Sequence, residues 1–576
     1  MTKKHTYDQI LKSSAVIGGS SLVNIAIGIV RTKTMAILLG PSGVGLMGLY
    51  GSITDLTINI AGMGINSSGV RQIAEAVGSG DTERIASTAA VLRRISLLIG
   101  VLGAGLLAVF SGSVSTLTFG NDQHAAAVAL LSIGVFFNLV SGGQGALIQG
   151  MRRISDMAKM GIVGTLFGAI ISILVIYFLR EEGIVISYIL VSAMGILTSW
   201  WYSRKIQIQR PLISAAQVGQ EAAALLKLGF AFMASGLLMS GAAYAVRLIV
   251  VRKVGFDAAG LYQAAWALGG LYLGFILQAM GADFYPRLTA IAADNTECNR
   301  LVNEQAHVSM LLAGPGVIAT LTFSPLVIAL FYTQQFEGAV EILRWLCLGM
   351  FLRVISWPMG FIIVAKGIQN LLIFSELAWT VVYLGLAWLC VDSFSLKGAG
   401  IAFFGSYIFH VLIVYIIVRR LSGFRWSTTN IQTSFLFLVL IAIVFCSYYL
   451  LTPLLAMGIG TLAVLLSGVY SIQVLINLIS LDQIPRRLLK LLQWFRFSSP
   501  TSNEYSELDF MVELKINERT VENKSLVGIR QLIFSFMICS VFSLWVYWYE
   551  GTYGWSVGME SFELYLKTLL PIFQLR

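Results

Sequence analysis

Charged residues are scarce in this sequence: they make up 12% of its 576 residues, whereas hydrophobic residues make up 57%. A soluble domain carries about a quarter charged residues. Apolar runs of about 18 residues or more recur along nearly the whole chain, and each can cross a hydrocarbon core of about 30 Å as a helix. The scarcity of charge therefore excludes a soluble globular protein and indicates one that spans a membrane many times.

The apolar runs also lack the alternation of apolar and polar residues that a membrane β-barrel requires. Runs such as 162–178 and 435–451 are continuously apolar, so they predict helices and not strands. The segment 1–12 carries three lysines, but no small-residue cleavage site ends the apolar run that follows it. We therefore expect no removable signal peptide, and we expect the first span to remain.

Cysteine and histidine are sparse too, with five and four residues in the whole chain. The cysteines show no C-x-x-C spacing, which argues against a metal site and a disulfide framework. The sequence also lacks the motifs of ATP hydrolysis, zinc and serine hydrolases, and metal-dependent sugar transfer. We therefore expect no cofactor, no metal site and no enzymatic activity.

The net charge of +10 is explained by where the basic residues lie. With the N-terminus in the cytoplasm, roughly 28 of the 39 lysines and arginines fall in cytoplasmic loops, which is the positive-inside pattern. The charge therefore indicates an orientation in the membrane, with no nucleic acid as a partner.

We predict an all-α polytopic membrane protein with about 14–15 transmembrane helices. The predicted spans are 13–39, 43–68, 92–116, 124–149, 159–179, 184–202, 227–251, 258–284, 307–331, 342–365, 371–391, 398–418, 432–451 and 454–478. A fifteenth span within 531–549 is left open, because that run is apolar but ends in aromatic residues typical of an interface.

An internal repeat with a period of about 215 residues indicates two similar halves. Arg31 precedes a Gly-Pro-Ser-Gly-Val-Gly-Leu stretch, and Arg247 precedes Gly-Phe-Asp-Ala-Ala-Gly-Leu. Asp81-Thr82-Glu83 matches Asn295-Thr296-Glu297 at nearly the same offset. Because each half holds six spans, the two halves form pseudo-symmetric six-helix lobes in the same orientation, around a central cavity.

The repeat divides the chain into predicted domains. They are an N-terminal six-helix lobe over 1–210, a C-terminal six-helix lobe over 211–425, an extra helix pair over 426–480, a cytoplasmic amphipathic and polar linker over 481–530, and a further transmembrane helix with a tail over 531–576.

Basic residues within the spans are the first candidates for a binding site, because charge inside a membrane costs free energy and usually faces a cavity or a partner. These candidates are Arg31, Lys33, Arg247 and Arg353. Guanidinium groups bind phosphate through paired hydrogen bonds, so we predict a cationic pocket for an anionic ligand. The alternative for each residue is snorkelling to the headgroups or pairing with a carboxylate.

Acidic residues within the spans leave two interpretations open. Asp55, with Asn59 one helical turn further on, would either carry a coupling proton or cation or neutralise Arg31 on the neighbouring helix. Glu376 follows Lys366 after a short turn. We interpret these last two as a structural pair.

Five short stretches, taken in order and spacing, resemble a known family. They are Lys33–Gly45, Gly150-Met151-Arg152-Arg153, Arg252-Lys253, Ile363–Gly367 leading to Ser375-Glu376-Leu377, and Gly398–Ala402. They resemble the polysaccharide and O-antigen translocases, which are Wzx-type flippases of the MOP exporter superfamily. That superfamily also holds the MATE drug transporters and the lipid II flippases.

The resemblance implies two lobes in a V around a cationic cavity that opens alternately to either face of a bacterial inner (cytoplasmic) membrane. The implied cargo is an undecaprenyl-diphosphate-linked oligosaccharide, such as a unit of O-antigen lipopolysaccharide. Its cavity residues carry over to Arg31, Lys33, Arg247 and Arg353. Further expected partners are membrane lipids, a coupling H⁺ or Na⁺, and a polysaccharide polymerase with a chain-length regulator.

Two alternatives of other kinds remain at this stage. A MATE-like antiporter of cationic drugs would have acidic residues in its cavity, whereas arginine predominates here. A membrane polysaccharide polymerase or transferase would show a large outer loop, whereas the predicted outer loops, such as 40–43 and 119–124, are short.

Overall fold

The computed structural model describes residues 3–206, 215–279 and 284–478, and these residues form helices and no strands. The chain divides into two compact units, of which Ser20–Leu478 is one. The other unit comprises the two ends of the chain. The predicted linker over 481–530 and the further span within 531–576 lie outside the described residues.

The first half of the unit contains seven helices. A single long helix, α1, carries both of the first two predicted spans, and it breaks at Gly40, whose φ of +64° lies in the left-handed region. Pro41 follows, and it lacks the N–H that would continue the helix across the break. The helices are α1 (Lys3–Gly62), α2 (Ile65–Ser79), α3 (Thr82–Val109), α4 (Ser111–Phe119), α5 (Ala125–Gly150), α6 (Ile154–Leu179) and α7 (Gly183–Ser203).

The second half repeats this order of long helices and adds a pair. Helices α11 and α12 are bent by 79° at the break between them, which is the geometry of a broken span or a re-entrant loop. The helices are α8 (Ala215–Val254), α9 (Phe256–Ala279), α10 (Tyr285–Ala290), α11 (Asn295–Thr322), α12 (Ser324–Phe331), α13 (Ala339–Ala365), α14 (Gln369–Phe394), α15 (Lys397–Ser422), α16 (Thr428–Leu450) and α17 (Pro453–Leu478).

The lengths of these helices fit repeated membrane crossings. Within the described residues, nine helices are long and apolar enough to cross, and the bent pair makes ten if it is one span. Two of the nine, Val23–Gly62 and Ile154–Ser203, have 40 and 50 residues and break near the middle. Each therefore supplies two crossings, since about 20 helical residues span 30 Å. The predicted all-α polytopic fold is confirmed, and every predicted span up to residue 478 overlaps a helix.

Each half buries a core of its own. One cluster of buried side chains comes almost entirely from α1 to α7. Two others come mainly from α8 to α17. The added helices α16 and α17 pack on α11, where Phe437 and Ile441 are fully buried. The extra pair therefore extends the second half.

The repeated sequence stretches occupy equivalent places in the two halves. Gly40 breaks α1, and Gly255, with φ of +116°, separates α8 from α9. Asp81 caps α3 by accepting a hydrogen bond from the Arg84 N–H, and Asp294 caps α11 in the same way. The residue that corresponds to Asp81 is thus Asp294, one position before the Asn295 that the sequence alignment selects.

The repeated glycines also bring the halves together. A Cβ atom on Gly260 of α9 would lie 1.9 Å from the Pro41 carbonyl oxygen, and one on Gly45 would lie 2.5 Å from the Phe256 carbonyl oxygen. Because no side chain fits there, the two backbones contact each other directly. We call the end of the helix bundle where Pro41 and Gly45 meet Phe256 and Gly260 the Gly40 end.

Candidate functional site

Arg31 lies in the part of α1 that precedes the break at Gly40. Its Nε donates a hydrogen bond of 3.0 Å to the Ser172 hydroxyl on α6. Ser172 is fully buried, and Arg31 is half-buried. The Ser172 hydroxyl is neutral, so this hydrogen bond leaves the positive charge of Arg31 in place among the helices of the first half.

Arg247 joins three helices. From α8, its Nε donates to the Gln263 Oε1 on α9 at 2.9 Å, and one terminal nitrogen donates to the Ser52 hydroxyl on α1 at 2.9 Å. Both partners are again neutral. Arg247 therefore joins the two halves through neutral side chains.

Tyr188 of α7 shows that the two arginines belong to one region. Its phenol lies within electrostatic range of Arg31, Asp55 and Arg247, and it donates a hydrogen bond of 2.9 Å to the Met47 carbonyl oxygen. We call Arg31, Asp55, Tyr188 and Arg247 the central polar cluster. The structure thus brings together two of the four basic residues that the sequence singles out.

Asp55 and Asn59 make different contacts with the second half. Asn59 donates to the Asp55 carbonyl oxygen at 3.0 Å and to the Ser240 hydroxyl of α8 at 2.8 Å, so its amide bridges the halves. The Asp55 side chain is exposed and lies within electrostatic range of Arg247. The sequence names Arg31 as the residue that Asp55 would neutralise, but the charged neighbour of Asp55 in the structure is Arg247.

Lys33 lies at the Gly40 end. Its ammonium group donates to the carbonyl oxygens of Ala329 and Tyr332 in the second half. These carbonyls terminate α12, where the helix dipole favours a cation. Lys33 therefore fastens the two halves at this end of the bundle.

Arg353 lies in a cavity of about 240 Å³ that we call the aromatic cavity. The Arg353 guanidinium is 4.8 Å from the centre of the Trp357 ring, and Glu376 and His410 lie within its electrostatic range. The lining side chains all come from the second half, and they are Met239, Ala242, Ala243, Trp266, Arg353, Trp357, Leu372, Glu376, Trp379, Tyr383, Phe403, Tyr407 and His410.

Sequence reasoning missed Glu376 and His410. The sequence predicts that Glu376 pairs with Lys366, but Lys366 donates to the Ala292 carbonyl oxygen at 2.8 Å and to the Asn295 side chain at 2.7 Å. Glu376 lies instead beside Arg353 in the aromatic cavity. The available signal was the density of tryptophan and tyrosine around Arg353 and Glu376, because aromatic side chains with polar ends line ligand pockets.

Two relatives match most of the chain. A lipid III flippase of Escherichia coli (strain K12) is 22% identical over 426 residues, which is 71% of this chain and 99% of the relative. A candidate O-antigen transporter of Shigella flexneri is 26% identical over 394 residues, covering 66% of this chain and 91% of the relative.

Solved structures share the fold at lower identity. An inward-facing multidrug resistance MATE family transporter of the MOP superfamily aligns with a TM-score of 0.60 and 16% identity, covering 70% of this chain and 98% of the other. The lipid II flippase MurJ, in an inward closed conformation, aligns with a TM-score of 0.58 and 14% identity, covering 81% and 99%. These similarities establish the fold alone.

A family model described as "Polysaccharide biosynthesis protein" matches residues 34–341. The match begins at Thr34. It includes the break at Gly40 and the whole of α8 with Arg247. It therefore contains the repeated stretches and most of the central polar cluster. Because the matched residues make up more than half of the chain, this protein is a member of the polysaccharide biosynthesis protein family.

Proposed function

We propose that this protein is a flippase that moves an undecaprenyl-diphosphate-linked oligosaccharide from the cytoplasmic to the outer leaflet of a bacterial inner membrane. The observation that carries the proposal is the pair of guanidiniums, Arg31 and Arg247, within the membrane-spanning helices. Their hydrogen-bond partners among the described residues are neutral hydroxyl and amide groups. Asp55 lies within electrostatic range of Arg247 and offsets one of the two charges. The remaining positive charge is expensive in a membrane unless an anion compensates it.

A diphosphate fits the chemistry of these two guanidinium groups. Guanidinium groups donate paired hydrogen bonds to phosphate oxygens, and exclusion of water strengthens the attraction. The relatives support a lipid carrier, since one is named for flipping lipid III and the other for transporting O-antigen. In this proposal Arg31 and Arg247 bind the diphosphate while the polyprenyl tail remains in lipid.

Transport by this route changes no covalent bond, so the chain acts as a transporter and not as an enzyme. With the cell interior negative, moving two negative charges outward releases about 4–5 kcal/mol per 100 mV, since each charge contributes about 2.3 kcal/mol. The membrane potential therefore suffices as a driving force. A polysaccharide polymerase with its chain-length regulator would receive the product on the outer face.

The direct test uses the purified full-length protein in proteoliposomes. A fluorescent undecaprenyl-diphosphate-linked oligosaccharide is expected to change leaflets within minutes of reconstitution, and faster under a potassium diffusion potential that draws anions across. The measurement is the fraction of fluorescence that an impermeant quencher reaches. A phospholipid with the same fluorophore serves as the control cargo. Uptake of ethidium without movement of the glycolipid would replace this proposal with the MATE-like one.

Asp55 supplies a separate prediction about ion coupling. In this proposal its exposed carboxylate accepts a proton or sodium ion while Arg247, its electrostatic neighbour, is occupied by the diphosphate. Asp55→Asn is then expected to remove the acceleration by an imposed proton or sodium gradient and to preserve flipping driven by potential alone. The matched control is Asp122→Asn, which alters an exposed carboxylate outside the helices. Equal responses to both gradients in Asp55→Asn and wild type would contradict the coupling role.

A further inference from the structure

The aromatic cavity contains hydrogen-bond donors that the described residues do not satisfy. The Nε of Arg353 and the indole nitrogens of Trp357 and Trp379 are buried, and no described residue accepts a hydrogen bond from them. Buried donors are almost always satisfied in native proteins. A ligand in the cavity would bring acceptors for these three donors.

The walls of the cavity suit the flat face of a sugar ring. Trp266, Trp357 and Trp379 line it together with tyrosine and phenylalanine side chains. The face of an aromatic ring is electronegative, so it attracts the polarised C–H groups that one face of a pyranose presents. The cavity volume of about 240 Å³ is of the size that one sugar residue requires.

The charge inside the cavity argues for a neutral, hydroxyl-rich ligand. Arg353 and Glu376 have opposite charges and lie within electrostatic range of each other, so neither a diphosphate nor a cationic drug is favoured. A sugar hydroxyl both donates and accepts. It therefore satisfies the indole and guanidinium N–H groups while donating to Glu376 or to the His410 imidazole.

The position of the cavity connects it with the central polar cluster. Tyr383 lines the cavity, and its hydroxyl is 3.2 Å from the Tyr262 hydroxyl. Arg247 lies within electrostatic range of both tyrosines. These two buried hydroxyl groups therefore link the cavity to the neighbourhood of Arg247.

We infer that the aromatic cavity is a sugar-binding subsite, in which one ring of the oligosaccharide stacks on the tryptophans while the diphosphate lies at Arg31 and Arg247. This inference rests on the proposed function and adds to it the part of the molecule that recognises the glycan. It assigns Arg353 to the sugar and not to the phosphate groups.

The test measures binding of two probes to the full-length protein in lipid nanodiscs: undecaprenyl diphosphate, and the same lipid carrying N-acetylglucosamine or galactose. The wild type is expected to bind at least one glycosylated probe about tenfold more tightly than the bare lipid, since several hydrogen bonds are added. The Trp357→Phe/Trp379→Phe double variant keeps the rings but loses both indole donors. It is expected to bind glycosylated and bare lipid alike, with the bare-lipid affinity unchanged.

Trp345→Phe is the matched control, because Trp345 belongs to the same helix as Trp357 but packs on Phe445, outside the cavity. It is expected to retain the preference for glycosylated lipid. Retention of that preference in the double variant, or equal binding of all probes by the wild type, overturns the subsite while leaving the flippase proposal standing. Failure of every probe, bare lipid included, overturns both. An unchanged bare-lipid affinity shows that the double variant is folded.

Discussion

Cells whose only copy of this protein is the Arg247→Ala variant are expected to lose surface glycan by about 10- to 100-fold, roughly the factor that follows from losing one charge-assisted hydrogen bond. Arg247 supplies a positive charge from α8 and joins the halves through Ser52 and Gln263. Alanine removes the charge that the diphosphate needs and leaves the carboxylate of Asp55 without its cationic neighbour. The measurement is surface glycan per molecule of transporter in the membrane.

The chain offers a closely matched control in Arg344. This arginine is also half-buried within a transmembrane helix, and it also donates to a serine, since its Nε is 3.1 Å from the Ser324 hydroxyl. The Arg344 guanidinium lies 3.6 Å from the centre of the Tyr448 ring, and Tyr448 belongs to α16. Neither residue belongs to the central polar cluster. Arg344→Ala is expected to retain most of the surface glycan.

Three outcomes distinguish a binding role from a structural one. Arg247→Lys keeps the charge but loses the paired donors, so it is expected to fall between alanine and wild type. A loss of glycan in Arg344→Ala equal to that in Arg247→Ala would show that any buried arginine matters equally. Full surface glycan in both Arg31→Ala and Arg247→Ala would remove the physical basis of the proposed diphosphate site.

Hydropathy was sufficient to predict the helices, because in lipid every backbone N–H and C=O must be satisfied within the span. The break at Gly40 was readable for a similar reason, since glycine followed by proline cannot continue a helix without interruption. The equivalence of Arg31 and Arg247 followed from the repeat. Both lie within electrostatic range of Tyr188 in the structure.

The partners of the charged side chains could not be read from the sequence in the same way. Lys33 is two residues from Arg31, yet it donates to carbonyls at the end of α12, which lack partners within the helix because the helix ends there. Glu376 is close to Lys366 in sequence but faces Arg353 across helices. Such pairings depend on the rotation of each helix about its axis, and a short apolar sequence determines that rotation weakly.

The contact of the two halves at the Gly40 end predicts a second large effect. The proposed transport by alternating access would require the halves to separate at this end and then to close again. Closure places the Gly260 backbone against the Pro41 carbonyl oxygen, with no room for a Cβ atom. Gly260→Val is therefore expected to disfavour the closed arrangement by about 1–3 kcal/mol, the usual cost of overpacking, which corresponds to about 5- to 150-fold in its population.

The measurement combines flipping in proteoliposomes with labelling of a Ser42→Cys probe at the Gly40 end by a water-soluble maleimide, corrected for labelling of the parent protein. Gly260→Val is expected to flip glycolipid more slowly and to label faster, because this end stays open. Gly270→Val is the matched control: it lies on the same helix, α9, and a Cβ atom there meets nothing within 4 Å. If the two valine variants flip and label alike, the backbone contact between the halves does not close the transport path, and the gate must lie elsewhere in the bundle.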